Sequence, residues 1–289
     1  MTNPISRKDF LSDTDPRWCP GCGCYSVLKS VTDTYAALGI GKENYAVISG
    51  IGCSSRFPYY VSTYGFHTIH GRAPTVAVGV KMVKPELSVW IMTGDGDALS
   101  IGGNHFLHIM RRNPNIKMVL FNNQIYGLTK GQASPTSPQG VLTKSSPFGS
   151  IDQPINPMAL AISAGATFAA RVPDREGKLM TEVFEAAAHH KGMAFIEVLL
   201  NCVIFNDGAF KPLTDKQSKA DATIILKHGE PIRFGQNMEK GLRMNSQLKL
   251  EVVLTSSTPE NELLRHDAKS MNPTLSFMLA QLSYPENPV

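Results

Sequence analysis

The chain has 289 residues, of which 42% are hydrophobic and 18% are charged, and its formal net charge is +4. This composition excludes a disordered or collagen-like chain, and no apolar run reaches the roughly 20 residues that cross a bilayer. Lys and Arg are spread along the chain without a cluster, which argues against a nucleic-acid-binding protein.

Helical and strand patterns alternate between residues 25 and 200. The patterns predict a helix over 25–38, strands over 45–49 and 87–92, a helix over 100–112, a strand over 117–121, a helix over 156–165, a strand over 167–172, a helix over 174–191 and a strand over 194–200. Such an alternation indicates an α/β fold with a parallel sheet flanked by helices.

Two stretches depart from this alternation. Residues 130–155 are rich in Ser, Pro, Gly and Gln, and they predict a long active-site loop rather than a linker. Residues 203–289 lose the α/β rhythm, with strands predicted near 222–226 and 249–254 and a helix near 273–282. We therefore predict a domain over residues 1–202 and a C-terminal extension over 203–289 that packs on a partner.

A glycine turn, Gly94-Asp95-Gly96-Asp97, stands between a predicted buried strand and a helix. Helix N-terminal amides attract anions, and glycines let a phosphate approach the backbone. Asp95 would repel a diphosphate unless a divalent cation lay between them, and Mg²⁺ takes about six oxygen ligands. A turn of this composition also occurs without any ligand, for local reasons.

A second turn supplies further oxygens. Twenty-five residues separate Gly96 from Asn122, which leaves room for one helix and one strand. Asp95 and Asn123 should therefore lie at the carboxyl ends of neighbouring parallel strands. The Asn123 amide and the Ile125 carbonyl complete a predicted Mg²⁺–diphosphate site. The two turns together resemble the signature of thiamine diphosphate enzymes.

Five cysteines occur, at positions 19, 22, 24, 53 and 202. The amino terminus lacks a basic segment followed by an apolar stretch and a cleavage site, so we expect a reducing cytoplasm and no disulfides. A Cys-x-x-Cys pair with two distant cysteines can bind an iron–sulfur cluster or a structural zinc. A redox Cys-x-x-Cys would leave Cys53 and Cys202 without a role. The spacing favours the cluster and leaves zinc open.

With both signals, the chain resembles the β subunits of 2-oxoacid:ferredoxin oxidoreductases over nearly its whole length. The motifs that carry the resemblance are Trp18–Gly23, Ile51–Ser54, His67–Arg72, Gly94–Asp97, Asn122–Gly127, Thr129–Gln132 and Cys202. The resemblance implies a thiamine diphosphate-binding fold, with a mostly parallel sheet flanked by helices, plus the C-terminal extension.

The resemblance also implies the site residues. The ligands of a 4Fe-4S cluster would be Cys19, Cys22, Cys53 and Cys202, which leaves Cys24 as a spare thiol. The Mg²⁺ ligands would be Asp95, Asn123 and the carbonyl of Ile125. The contacts to thiamine diphosphate would be Ile51, Gly52, Cys53, Ser54, His70, Gly96, Asp97, Gly127 and Leu128. The catalytic residues would be His70 and Lys130.

The implied reaction is the reversible oxidative decarboxylation of a 2-oxo acid with coenzyme A, with electrons passing through the cluster to ferredoxin. An α subunit, in an α2β2 assembly, would supply the catalytic glutamate. Lys130 lies in a pattern that resembles the 2-oxoglutarate branch, and its ammonium would pair with the second carboxylate of that substrate, giving succinyl-CoA and CO₂. A pyruvate or broad-specificity β subunit is the alternative. Further alternatives are a non-redox thiamine diphosphate decarboxylase or synthase with a structural zinc, and a regulatory subunit without cofactor.

Overall fold

The computed structural model describes residues 5–289 and divides the chain into two compact units, the first ending at Phe210 and the second beginning at Lys211. The sequence pattern placed this division eight residues earlier, after residue 202. The difference has a physical reason, because residues beyond 202 are bonded to the first unit. Asn206 donates from Nδ2 to the backbone oxygen of Asn123 at 2.9 Å, and Asp207 accepts from Asn201 at 2.8 Å.

The first unit is built on one six-stranded parallel sheet. Its strands are β1 (Tyr45–Ser49), β2 (Tyr64–His67), β3 (Ser88–Gly94), β4 (Ile116–Asn122), β5 (Phe168–Pro173) and β6 (Ala194–Leu199). Its helices are α1 (Cys24–Leu38), α2 (Ala73–Val83), α3 (Gly103–Arg112), α4 (Pro157–Ser163) and α5 (Gly177–His189). The strand order is β2-β1-β3-β4-β6-β5, and every neighbouring pair runs parallel. The predicted α/β class is therefore confirmed.

The central strands form where the sequence is continuously apolar. All residues of β1, β4 and β6 are buried, as expected for strands covered on both faces by helices. One face of the sheet packs against α1 and α5 around Tyr35, Trp90 and Phe184. The stacked rings of Tyr35 and Tyr45, with centroids 4.1 Å apart, link α1 to β1.

The strand order brings the predicted motifs to one edge. β1 and β3 are neighbours, and the chain continues from β1 to one side and from β3 to the other, which opens a crevice at their carboxyl ends. The next strands along are β4 and β6. Cys53, Asp95, Asn123 and Cys202 follow β1, β3, β4 and β6 respectively, so these four positions lie at the same edge of the sheet.

Among the elements between residues 50 and 87 that were not predicted are the strand β2 and the helix α2. All four residues of β2 are exposed, including Tyr64 at 59% and Phe66 at 45%, so this edge strand has no buried pattern. α2 is apolar on most faces, so it shows no polar stripe, and Pro74 lies in its first turn. A helix was predicted from residue 100. Helical backbone begins before that residue, in a π-helical turn over Asp97–Ile101, and the α-helix α3 follows from Gly103.

The second unit holds a three-stranded antiparallel sheet. Its elements are α6 (Lys211–Thr214), α7 (Lys219–Ala222), β7 (Arg233–Phe234), β8 (Lys240–Met244), β9 (Leu250–Leu254) and α8 (Thr274–Ala280). β9 and α8 confirm two of the predicted elements, whereas β7 and β8 were missed. The strand predicted near 222–226 is wrong. Helix α7 ends at Ala222, and the Ile224 amide then donates one bond to the carbonyl of Val289 instead of entering a ladder.

Within the part of the chain that the structure describes, no helix has both the length and the apolar character needed to span a membrane.

Candidate active site

A cavity of about 170 Å³ lies at the carboxyl ends of β1, β3 and β4. Its lining includes twelve of the residues predicted to bind cofactor or metal: Ile51, Gly52, Cys53, Ser54, His70, Asp95, Gly96, Asp97, Asn123, Ile125, Gly127 and Leu128. The lining omits four predicted residues, Cys19, Cys22, Cys202 and Lys130. A more open depression of about 670 Å³ on the β8–β9 hairpin contains none of the predicted site residues.

The carboxylate of Asp97 joins three of the loops around the cavity. Its Oδ1 accepts from the backbone amides of Ile51 at 2.9 Å and Gly71 at 2.7 Å, and His70 Nδ1 lies 2.7 Å from the same oxygen. Its Oδ2 accepts from Thr93 Oγ1 at 2.7 Å. Asp97 is 2% exposed, so both of its oxygens are used inside the protein. The Asp97 contact orients the His70 ring, which remains part of the cavity wall.

Glycines are required where other groups approach the turns. A Cβ on Gly96 would lie 2.0 Å from Cε1 of Tyr126, and a Cβ on Gly50 would lie 2.1 Å from Oδ2 of Asp97. Gly71 has φ +72°, and a Cβ there would lie 2.6 Å from the backbone nitrogen of Gly102. The glycine of the His-Gly-Arg motif is therefore fixed by close backbone packing as well as by its left-handed conformation.

Asp95 is a buried carboxylate at the wall of the cavity, with an exposure of 3%. Burial raises its pKa to about 6, although hydrogen bonds from Ser134 and Thr136 act in the opposite direction. Ser134 Oγ and Thr136 Oγ1 donate to Asp95 Oδ2 at 2.6 and 2.7 Å. A cation in the cavity would favour the ionised form of this carboxyl group.

The turn after β4 presents further oxygen atoms. Gln124 has φ +54°, and the Ile125 amide donates to Asn123 Oδ1 at 3.2 Å, which closes a tight turn. Ser54, which also lines the cavity, is only 3% exposed, and its hydroxyl has no hydrogen-bond partner among the described residues. A buried hydroxyl without a partner is costly unless a ligand or water satisfies it.

Lys130 lies on an exposed turn next to the cavity rather than in its lining. Its amide donates to the Gly127 carbonyl at 3.1 Å, and the flanking residues Tyr126 and Gln132 pair through their backbones at 2.9 Å. Lys130 has φ +74°, a left-handed conformation that costs a residue other than glycine about 1–2 kcal/mol. A strained lysine beside a candidate site is the kind of outlier that accompanies function.

The five cysteines are free thiols that influence one another electrostatically. Burial, together with the neighbouring thiols of Cys22, Cys202 and Cys19, raises the pKa of Cys53 to about 11. A hydrogen bond from Cys24 lowers the pKa of Cys22 to about 7, and the same bond, with burial, raises the pKa of Cys24 well above its usual range. Cys24 thus neighbours the predicted ligands, a contact that its spacing did not reveal.

Gly127 links the cavity to these thiols. A Cβ on Gly127 would lie 3.5 Å from the sulfur of Cys202 and 3.7 Å from the sulfur of Cys53, while Gly127 itself lines the cavity. Trp18, which precedes Cys19, donates from its indole nitrogen to the Cys53 carbonyl at 2.8 Å and so joins two cysteine loops. Among residues 5–289, no three His, Cys, Asp or Glu side chains come close enough together to hold a single metal ion.

Sequence reasoning missed several residues of this site. Three of them, Ser134, Thr136 and Ser137, lie in the loop predicted over 130–155. That prediction did not name any individual residue of the loop. Tyr126 was only part of a motif, yet its ring covers Gly96 and its hydroxyl donates to the Gly96 carbonyl at 3.3 Å. A Ser-Pro-Thr-Ser run in an otherwise aperiodic segment was the only available signal.

Comparison with known proteins identifies the family. Residues 50–198 match the model of the thiamine pyrophosphate enzyme C-terminal TPP-binding domain. The chain is 52% identical to the 2-oxoglutarate oxidoreductase subunit KorB of Mycobacterium tuberculosis, over 97% of this chain and 74% of the relative. The chain belongs to the β subunits of the 2-oxoacid:ferredoxin oxidoreductases. As a member of this family, it is a subunit of an oxidoreductase and carries a thiamine diphosphate-binding domain.

Other members of the family agree. The 2-oxoglutarate synthase subunit KorB of Archaeoglobus fulgidus is 44% identical, over 64% of this chain and 69% of the relative. A solved 2-oxoglutarate:ferredoxin oxidoreductase from Magnetococcus marinus, with 2-oxoglutarate, coenzyme A and succinyl-CoA bound, matches with a TM-score of 0.70 and 42% identity, over 71% of this chain and 70% of that one. Within the family, the chain is therefore most like the 2-oxoglutarate branch.

Proposed function

We propose that the chain is the β subunit of a 2-oxoglutarate:ferredoxin oxidoreductase that binds thiamine diphosphate through Mg²⁺ and holds a 4Fe-4S cluster. The complete enzyme would convert 2-oxoglutarate and coenzyme A to succinyl-CoA and CO₂, reversibly, and would pass the electrons to ferredoxin in the cytoplasm. The 2-oxoglutarate relatives, one of them solved with 2-oxoglutarate and coenzyme A bound, support this choice.

The observation that carries the proposal is the position of Gly127. This residue lines the cavity that the glycine turn forms, and a Cβ placed on it would lie 3.5 Å from the sulfur of Cys202 and 3.7 Å from that of Cys53. A cofactor that generates electrons in the cavity would therefore lie one backbone turn from the thiols of an electron acceptor. A non-redox decarboxylase with a structural zinc would not need its cofactor close to these thiols.

The residues around the cavity fit Mg²⁺ and a diphosphate. The buried Asp95 carboxylate, the Asn123 amide and the Ile125 carbonyl provide hard oxygen ligands. The unpartnered Ser54 hydroxyl can donate to a phosphate oxygen, which removes the cost of its burial. Thiamine diphosphate would supply a carbanion equivalent that adds to the keto carbon of a 2-oxo acid.

The thiols fit a cluster. The thiols of Cys22, Cys202 and Cys19 lie near enough to Cys53 to raise its pKa, which supports a shared cluster. A 4Fe-4S cluster binds each of its cysteines through a different iron, so it accepts thiols that are too far apart for one ion. The cluster would take up electrons one at a time.

The chain would form half of the active site. A cavity of about 170 Å³ is small beside the roughly 300–1,000 Å³ of typical ligand sites, which supports a site that a partner completes. By family resemblance, that partner is an α subunit in an α2β2 assembly, and it supplies the catalytic glutamate. On this side of the site, the contact with Asp97 orients His70 at the cavity wall, where its second ring nitrogen can exchange a proton with bound groups.

Lys130 would select the substrate. Its turn follows the Asn123 turn directly, and its side chain is free to reach the second carboxylate of 2-oxoglutarate over the mouth of the cavity. Pyruvate has only a methyl group at that position, so the ammonium would add nothing to its binding. A pyruvate or broad-specificity β subunit is the competing function.

The test is anaerobic purification of the chain with its α subunit, followed by iron, sulfide, zinc and thiamine analysis. We expect brown protein with four irons per β chain, as its cluster type requires, and reduction of ferredoxin that depends on 2-oxoglutarate and coenzyme A. Colourless protein with stoichiometric zinc would support the decarboxylase alternative. Faster turnover of pyruvate than of 2-oxoglutarate would support the other branch.

A further inference from the structure

The loop after Lys130 contains four residues, Ser134–Ser137, that we call the hydroxyl segment. Ser134, Thr136 and Ser137 are 8%, 3% and 3% exposed, although much of the loop over residues 138–153 is exposed. Their hydroxyl groups point into the protein and are all hydrogen-bonded. The segment therefore lies behind the cavity wall, bonded to the lining residue Asp95, while the rest of the loop extends from it.

One set of bonds reaches the glycine turn. Ser134 Oγ and Thr136 Oγ1 both lie within hydrogen-bonding distance of Asp95 Oδ2, at 2.6 and 2.7 Å. Each hydroxyl has a single proton to donate, and an ionised carboxylate is the stronger acceptor. Two charge-assisted bonds to one oxygen hold the Asp95 carboxylate in a fixed orientation.

A second set reaches the turn after β4. Thr136 Oγ1 lies 2.9 Å from Asn122 Oδ1, and Ser137 Oγ donates to the Gln124 carbonyl at 2.5 Å. The Asn122 amide is itself oriented, because its Nδ2 donates to Glu197 Oε1 at 2.7 Å. The oxygen of Asn122 is therefore turned towards Thr136, and it also accepts from the Gln124 amide at 3.2 Å.

The two turns need such a connection because the sheet no longer joins them. The β3–β4 ladder ends at the pair Gly94–Phe121, so Asp95 and Asn123 lie beyond the last backbone pairing between these strands. The Thr136 hydroxyl lies within hydrogen-bonding distance of an acceptor on each side of this gap, so its single proton points towards Asp95 Oδ2 and can be shared with Asn122 Oδ1 in a three-centre bond. Thr136 is the one residue of the hydroxyl segment whose side chain contacts both Asp95 and Asn122.

We propose that the hydroxyl segment is the positioning element of the Mg²⁺ site: Thr136, with Ser134 and Ser137, sets the Asp95 carboxylate at a fixed distance from the Asn123 turn. This inference rests on the proposed function, because it presupposes that Asp95 and Asn123 share a Mg²⁺ ion. The hydroxyls do not touch the ion; they act through its ligands. Loss of such a supporting bond typically weakens metal binding by about 10–100-fold.

The experiment measures Mg²⁺-dependent binding of thiamine diphosphate by the assembled enzyme, through quenching of tryptophan fluorescence and without turnover. Thr136→Val removes the hydroxyl and keeps the shape of the side chain. Thr136→Ser keeps the hydroxyl. Thr34→Val is the matched control, since Thr34 is also fully buried and donates to the Ser30 carbonyl at 2.8 Å within α1, in a bond that does not involve the site.

We expect Thr136→Val to raise the Mg²⁺ concentration for half-maximal binding by about 10–100-fold, and excess Mg²⁺ to restore binding. Thr136→Ser and Thr34→Val should stay close to the unmodified enzyme. If Thr136→Val fails to fold, Ser134→Ala removes a bond to the same oxygen and should weaken Mg²⁺ binding in the same direction.

Two results would overturn the inference in distinguishable ways. An unchanged Mg²⁺ requirement in Thr136→Val and Ser134→Ala, with binding lost in Asp95→Ala, would refute the positioning role alone. An unchanged requirement in Asp95→Ala as well would refute the Mg²⁺ site on which the proposed function rests. A weakening by Thr34→Val equal to that by Thr136→Val would show that any buried hydroxyl deletion has this effect, and would also refute the positioning role.

Discussion

Replacing Asp95 by asparagine should stabilise the Mg²⁺-free protein while it abolishes Mg²⁺-dependent cofactor binding. Burial raises the pKa of Asp95 from 3.8 to about 6, which means that the folded state disfavours the charged carboxylate. The difference between these two pKa values corresponds to about 3 kcal/mol. Asparagine carries no charge, and its oxygen can still accept from Ser134 and Thr136. We therefore expect Asp95→Asn to raise the free energy of unfolding by at most about 3 kcal/mol at pH 7.5.

The pH dependence of this gain has a definite sign. Because the folded pKa lies above the unfolded one, the folded protein binds the extra proton between pH 6 and 4, and the cost of the charge is lost as pH falls through that window. The advantage of Asp95→Asn should shrink to about half by pH 5 and nearly vanish at pH 4. The control is Asp152→Asn, a change at an exposed position of the loop. It should alter the free energy of unfolding by less than about 0.5 kcal/mol at any of these pH values.

Urea unfolding without Mg²⁺, followed by tryptophan fluorescence, measures this effect. Trp18 and Trp90 are the two tryptophans of the chain, and both belong to the first unit. A loss of stability in Asp95→Asn at pH 7.5, or a gain that does not change between pH 7.5 and pH 4, would refute the reasoning from burial. In the assembled enzyme, retention of Mg²⁺-dependent thiamine diphosphate binding by the variant would show that Asp95 is no ligand.

Three further predictions concern other parts of the site. The four predicted cluster ligands are Cys19, Cys22, Cys53 and Cys202, and serine in place of any of them should lower bound iron and block ferredoxin reduction. Cys24→Ser should keep most of the iron. The ligand set is wrong if Cys24 proves essential and one of the four ligands dispensable. Lys130→Asn should raise the free energy of unfolding by about 1 kcal/mol, because asparagine tolerates a left-handed backbone. The same change should lower kcat/KM for 2-oxoglutarate relative to pyruvate by at least about tenfold. Unchanged selectivity would show that Lys130 does not determine substrate choice. Gly71→Ala should lower the free energy of unfolding by at least about 2 kcal/mol, because φ is +72° and the new Cβ would meet the Gly102 backbone. Gly79→Ala, in the open middle of α2, should raise the free energy of unfolding by up to about 1 kcal/mol. Equal denaturation midpoints for the two variants would contradict this account.

The sequence predicted the sheet where apolar runs are long. β1 was predicted with the bounds that the structure has, and β4 and β6 within one residue, because strands buried on both faces leave an uninterrupted apolar signal. β2 has no such signal, since its four residues are exposed and it is held by pairing with β1 and by the contact of His67 with Tyr59. Its existence depends on a neighbour that local sequence does not name.

The error near residue 222 has the opposite cause. The run over 222–226 is mostly apolar and contains three β-branched residues, so it favours a strand, yet in the part of the chain that the structure describes no strand pairs with it. In the structure its first residue ends a helix, and Ile224 binds the chain terminus at Val289. β-propensity reflects packing against neighbouring strands, and the sheets formed within residues 5–289 place none beside this run.

The residues of the candidate site were predictable to the extent that they follow strands. Asp95 and Asn123 come directly after β3 and β4, and Cys53 follows β1 by four residues, so strand order alone brings them together. Thr136 does not follow a strand, and its contact with Asp95 spans 41 residues of sequence. Loop residues of this kind carry no periodicity, so only the three-dimensional path of the loop reveals them.

The exposed edge strand has a consequence for handling the protein. β2 ends the sheet, and its outer backbone amides and carbonyls lie beside the exposed rings of Tyr64 and Phe66. Such an edge offers a template on which another strand can form, and aromatic side chains increase its tendency to associate. When the chain is produced alone, we expect it to self-associate through this edge in preference to remaining monomeric. Co-expression with the partner subunit, or a lysine in place of Phe66, should raise the yield of soluble protein.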